Sequence, residues 1–181
     1  MPTRTLFSGQ SLLRSCKMLL LAAAFCMSAA HADDYADVNR LINAGQLPQA
    51  LVKADAHLAA SPKDPQMRFL KGVIQTQAGK SDEAIALFTQ ITTDYPELAE
   101  PYNNLAVLYA AQGQLDKARA TLEMAIRANP AYATAHENLG DVYAQLASQS
   151  YNRALQLDTG NPTLRPKLAL MGQLLTPAKA R

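Results

Sequence analysis

Gly45, Gly79 and Gly113 stand 34 residues apart, and each is followed five positions later by an alanine, Ala50, Ala84 and Ala118. Pro62, Pro96 and Pro130 keep the same step, as do Gly72, Ala106 and Gly140, with Val38 in the first copy. Tyr109 and Tyr143 share a register, with Leu41 and Gln75 as looser equivalents. A period of this length constrains the fold more than any other feature. It means one supersecondary unit stacked several times, because so short a unit cannot bury its apolar face alone.

Each repeated residue has a physical use. A glycine takes the positive φ that closes one helix and lets the chain enter the next. Ser81-Asp82-Glu83 and Asp116 place oxygen acceptors and negative charge where the second helix of a unit begins. The small residues Gly72, Ala106 and Gly140 let the paired helices approach closely. The prolines stop the second helix between units. Leu115, Ala118, Leu122, Ala125 and Ile126 show the apolar spacing of a helix.

This pattern resembles the tetratricopeptide repeat family, whose unit is a 34-residue helix–turn–helix. The copy at 99–132 matches best, through Tyr102, Leu105, Ala106, Tyr109, Ala118, Leu122, Ala125 and Pro130. The copy at 65–98 matches through Gly72, Ala84, Phe88 and Pro96. The copy at 31–64 is weaker: Asp34 and Asp37 occupy usually apolar positions, and His57 stands where a small residue is usual.

A fourth copy at 133–158 begins well, through His136, Leu139, Gly140 and Tyr143. Then Tyr151, Ala154, Leu155 and Leu157 arrive five residues early. The missing residues are the turn. With no Gly or Pro between Asp141 and Thr159, one long helix over about 133–157 is expected in place of a hairpin. Leu139, Tyr143, Leu146, Ala147, Tyr151, Ala154 and Leu157 would form its apolar stripe. After Gly160-Asn161-Pro162 a capping helix is expected within 162–175. Leu164, Leu168, Met171, Leu174 and Leu175 would be its apolar face, and Arg165, Lys167 and Gln173 its polar outer side. The predicted fold class is therefore all-α: a helix–turn–helix solenoid at 33–175 with three full repeats, a shortened fourth and a C-terminal cap, then a disordered tail at 176–181.

Composition matters most at the N-terminus. The first 32 residues hold Arg4, Arg14 and Lys17, no acid, and both cysteines, Cys16 and Cys26. The basic residues precede the apolar run from Met18 to Met27, and Ala30-His31-Ala32 comes next. This is the order of a secretory signal peptide cut after an Ala-x-Ala site. The reading places the rest of the chain in a bacterial periplasm. An uncleaved inner-membrane anchor is the alternative, and lipidation at Cys26 is disfavoured by Phe25 before it. From residue 33 onward the chain has 14 basic and 15 acidic residues and no cysteine. That argues against a disulfide scaffold and a nucleic-acid binder. No apolar run there is long enough to span a membrane.

No phosphate-binding loop, dinucleotide fingerprint, zinc-protease motif or nucleophile elbow occurs, so no enzyme, cofactor or metal is expected. His136 reads as a partly buried structural histidine on a core position. Glu137 and Asp141 share a helix face, a possible acid–base pair with nothing built around it. The resemblance implies instead that the first helix of each repeat lines a groove that binds a protein or peptide. Carried over to this chain, the groove residues are Asn39 from the first copy; Gln66, Phe69, Val73 and Thr76 from the second; Glu100, Asn103, Val107 and Ala110 from the third; and Glu137, Asp141 and Gln145 from the fourth. Asn103 suits a peptide backbone. Phe69 and Val73 suit an apolar anchor, and truncating Phe69 should weaken capture without loss of stability. The three carboxylates would favour Lys, Arg or a free amine. Some family members clamp a C-terminal carboxylate with cations on this face; here the equivalent positions hold Tyr35, Leu70, Glu100 and Asn104. Residues 153–181 carry five basic residues and one acid, read as a solvated end. Self-association through the apolar terminal helix is the alternative to a monomeric adaptor.

Overall fold

The computed structural model describes residues 34–175. The export signal read at 1–32 and the tail read at 176–181 lie outside the described residues. Eight helices and no strand occur among those described. Helix α1 covers 34–43. The others are α2 Leu47–Ala60, α3 Pro65–Gln77, α4 Ser81–Asp94, α5 Ala99–Ala111, α6 Leu115–Ala128, α7 Ala133–Leu157 and α8 Leu164–Leu174. The chain divides into two compact units between Lys63 and Asp64.

The turns form as the glycines dictate. Gly45, Gly79 and Gly113 take φ of 69°, 74° and 72°. Each N–H reaches the carbonyl three residues back, and the next N–H the carbonyl five back, as in Gly113 N to Ala110 O and Gln114 N to Tyr109 O, both 2.9 Å. These two hydrogen bonds satisfy carbonyls that the helix end leaves free. The helix starts differ from expectation. Ser81 is the first residue of α4; Lys80 holds the N-cap without a side-chain bond, so Asp82 and Glu83 contribute charge alone. A true side-chain cap occurs on α3, where Asp64 accepts from Met67 N at 3.1 Å and Pro65 fills the first turn.

In the first unit, α1 buries Val38, Leu41 and Ile42, and α2 buries Ala50, Ala54 and His57. The departures from the repeat pattern answer one another. His57 is 6% exposed, its Nδ1 lies 2.9 Å from Asp34 Oδ2, and its ring packs on Tyr35. Asp37 pairs with Lys53 and Arg40.

In the second unit α3–α4 and α5–α6 are antiparallel hairpins, and α7 and α8 complete the stack. One apolar cluster joins Ala84, Phe88 and Ile91 of α4 to Leu105 and Leu108 of α5. The next joins Tyr102 and Ala106 of α5, Leu115, Ala118, Leu122 and Ala125 of α6, and Ala135 and Val142 of α7. Tyr102 also donates its hydroxyl to Thr92 O, tying α5 to the end of α4.

The long α7 forms as expected, unbroken from Ala133 to Leu157. Four details differ. Its buried stripe runs through Ala135, Leu139, Val142 and Leu146, leaving Tyr143 50% and Leu157 74% exposed. Gly140 meets nothing within 4 Å of an added Cβ, because no second helix of its own repeat faces it. His136 is exposed, not partly buried; it sits at the repeat position of Tyr102, and its Nε2 bonds Pro130 O at 3.0 Å. On α8, Leu164 is buried and Leu168, Met171 and Leu175 are half-buried, but Leu174 is exposed beside Leu170. α8 packs against α7 along the first set, and the second lies on the flank.

Candidate functional site

Seven of the expected groove residues of the second unit line two cavities. The first, of about 350 Å³, lies between the N-terminal turns of α3 and α5 and is lined by Pro65, Gln66, Phe69, Leu98, Glu100 and Pro101. The second, of about 150 Å³, lies between α5 and α7, and its lining includes Val107, Ala110, Asn138, Asp141 and Gln145. The first helices of successive repeats present both, as the repeat geometry requires: residues one repeat apart fall side by side.

An amide pair stands at the second cavity. Asn103 is only 6% exposed, and its Oδ1 accepts from Asn138 Nδ2 at 2.8 Å, across α5 and α7. Among the described residues no hydrogen bond uses Asn103 Nδ2 or Asn138 Oδ1. The pair therefore keeps one donor group and one acceptor, the complement of a peptide C=O and N–H. Asn138 escaped the sequence reading. Its signal was the recurrence of Asn104 one repeat earlier, whose Nδ2 bonds only its own helix, at Glu100 O.

The acidic residues stand free. Glu100, Glu137 and Asp141 are exposed and make no ion pair among the described residues. Glu100 lies close enough to Tyr132 to matter: burial pushes the Tyr132 phenol up, and the Glu100 charge adds to the rise.

Other expected residues play different parts. Phe69 packs its ring on Phe88, with centroids 5.8 Å apart, and Val73 packs on the same cluster. Truncating Phe69 will therefore cost stability, contrary to expectation, although its other side lines the larger cavity. Thr76 spends its hydroxyl on Gly72 O. Val73, Thr76 and Glu137 line neither cavity. Asn39 belongs to the first unit, where it is exposed and donates to Tyr35 O. That unit has its own open depression, of about 440 Å³, lined by Arg40, Leu41, Pro48, Gln49, Val52 and Lys53. The sequence reading did not anticipate it, since its residues come from both helices of one repeat. Among the described residues no His, Cys, Asp and Glu side chains group as a metal would need, and no helix is long and apolar enough to cross a membrane.

Two sequence profiles of the tetratricopeptide repeat match the chain, one over residues 35–99 and one over 75–146. The chloroplastic tetratricopeptide repeat domain-containing protein PYG7 of Arabidopsis thaliana is 39% identical over 79 residues, which are 41% of this chain and 26% of that protein. The match thus spans about a quarter of that relative's length. Among solved structures, a thermophilic TPR protein of Thermus thermophilus is similar at a TM-score of 0.60 and 26% identity, over 79% of this chain and 81% of that one. The second TPR domain of human RPAP3, solved with the HSP70 peptide SGPTIEEVD, shares the fold at a TM-score of 0.55 and 15% identity, over 61% of this chain and 92% of that one.

Proposed function

From the premise that this chain belongs to the tetratricopeptide repeat family, a family of protein-binding modules, we propose that it is an adaptor that holds an extended peptide segment along α3, α5 and α7. The observation that carries this reading is the amide pair Asn103–Asn138. Asn103 is nearly buried, yet its amide N–H group has no protein partner and keeps access to solvent, where a ligand carbonyl can take it up. Val107, exposed at the second cavity, offers apolar contact alongside. The RPAP3 domain is seen with an acidic peptide; here the face carries Glu100, Glu137 and Asp141, so a different ligand chemistry is expected. No catalytic role is assigned to Glu137 and Asp141, which line no common cavity.

A selection from a displayed random-peptide library against the purified chain tests this. Val107→Glu should lower the affinity of selected peptides by about tenfold, because a bound chain covering this position would lose its apolar contact and desolvate the new carboxylate. Met124→Glu, at an exposed position on α6, should leave it unchanged. Equal effects from both variants would remove the reading.

We further propose that residues 1–32 act as an export signal and that the adaptor works in a bacterial envelope assembly; the basic-then-apolar order and the Ala30-His31-Ala32 site support this. A mature N-terminus at Asp33, read by mass spectrometry of periplasmic protein, is the expected result. A second reading, self-association, draws on Leu157, Leu170 and Leu174, all more than half exposed near the C-terminal cap. Sedimentation at several concentrations separates a self-associating scaffold from a monomeric adaptor.

A further inference from the structure

We infer that the cavity between the N-terminal turns of α3 and α5 receives a lysine or arginine side chain of the bound peptide. This rests on the peptide-binding reading above and names the chemistry of one subsite within it.

The walls are apolar: Pro65, Phe69, Leu98 and Pro101. The polar groups are the Glu100 carboxylate, which only accepts hydrogen bonds, and the Gln66 amide. Helix N-termini ordinarily favour anions because their first N–H groups are free. Here that property is blunted. Pro65 and Pro101 have no N–H, and the Asp64 carboxylate already takes Met67 N. What is left is a largely apolar slot with the unpaired, exposed Glu100 among its lining residues. The nearby arginine of α3, Arg68, is buried and bound to Asp94 Oδ2 at 2.7 Å, so it does not neutralise Glu100. Lysine and arginine match this arrangement, since their stems lie along apolar surface while the charged head stays at the rim. An N-terminal amine lacks the stem. At about 350 Å³ the cavity is at the small end for ligand pockets, fit for one long side chain and not for a large cofactor.

The test uses the full chain and an N-acetylated, C-amidated positional-scanning peptide library, read by fluorescence polarisation. One position should prefer Lys or Arg. Replacing that lysine by norleucine, which keeps the stem and removes the charge, should weaken binding by about threefold to tenfold, less at high salt. Glu100→Gln, at an exposed position, should abolish the difference between lysine and norleucine. If peptides bind and Val107→Glu still weakens them, but lysine and norleucine bind alike, the subsite is overturned and the groove survives. The same holds if Glu100→Gln leaves the lysine preference intact. If no peptide binds, or Val107→Glu has no effect, the groove reading falls and the subsite with it.

Discussion

The third and fourth repeats begin alike and end differently. Tyr109 and Tyr143 hold the same repeat position, yet Tyr109 is half-buried with Lys117 5.5 Å from its ring centre, whereas Tyr143 is 50% exposed. Lys117 lies just past the Gly113 turn. The fourth repeat lacks those turn residues, so α7 runs straight on and nothing folds back over Tyr143. Gly72 and Gly140 differ for the same reason: an added Cβ at Gly72 would meet the Phe88 ring at 2.6 Å, while at Gly140 it meets nothing. The lesson is that burial in a repeat is set by the turn. Side-chain pattern alone places a residue on the correct helix, but the five turn residues decide whether that helix has a partner. α8 then packs against α7, with Lys167 5.3 Å from the centre of the Tyr151 ring.

The largest expected contrast lies between matched second-helix positions. Leu122 is fully buried between α5, α6 and α7. Leu122→Ala should destabilise by about 2–5 kcal/mol in urea unfolding. Tyr151 stands at the corresponding point of the shortened repeat but is half-buried. Tyr151→Ala should cost about 1–2 kcal/mol, mostly partial burial and the contact with Lys167. Equal losses would mean that the distal half of α7 is as fully covered as a complete hairpin.

The glycine pair sharpens the comparison through a change of sign. Gly72→Ala forces a methyl group into the ring of Phe88, which is itself fully buried and cannot yield. Such overpacking costs about 1–3 kcal/mol, more than the gain in helix propensity. Gly140→Ala adds a methyl to open space within a helix and should stabilise by about 0.5–1 kcal/mol. Thermal unfolding of the two variants side by side is sufficient. Stabilisation at both positions would show that the Phe88 contact is loose; loss at both would put a partner helix over Gly140.

Much of this was legible in the sequence. The period placed the glycine turns, and the absent turn placed the long α7, because both depend on local backbone chemistry. Burial was less legible. The stripe through Tyr143 and Leu157 followed helical spacing, but spacing cannot say which flank meets a neighbour. The candidate site was legible as a set of first-helix positions. Its pairing was not: Asn138 binds Asn103 from one helix over, and Phe69 is claimed by Phe88 as much as by the cavity. These depend on contacts between helices that a repeat register only implies. The acid departures of the first repeat likewise looked like misfits until their partners, His57 and Lys53, appeared on α2.

Those departures define the smallest effect, and one of a different kind. The fourth repeat compensates a deletion by packing, whereas the first compensates apolar-to-acid changes by charge. The hydrogen bond from Lys53, then that from Arg40, hold the Asp37 carboxyl below its ordinary value of 3.8. A carboxylate whose pKa falls on folding adds stability above its ordinary range and loses it as pH drops through the lowered value. Asp37→Asn should therefore melt slightly below the parent at pH 7, and the gap should narrow as both are taken into acid below the ordinary value of 3.8, toward the lowered one. Asp37 lies at the surface, so raising salt should narrow the gap at pH 7 as well. The Gly140→Ala gain, which involves no charge, should be the same at pH 7 and in acid. A gap for Asp37→Asn that is constant or wider in acid would show that its partners do not favour the ionised form, and that the first repeat, like the fourth, is held by packing alone.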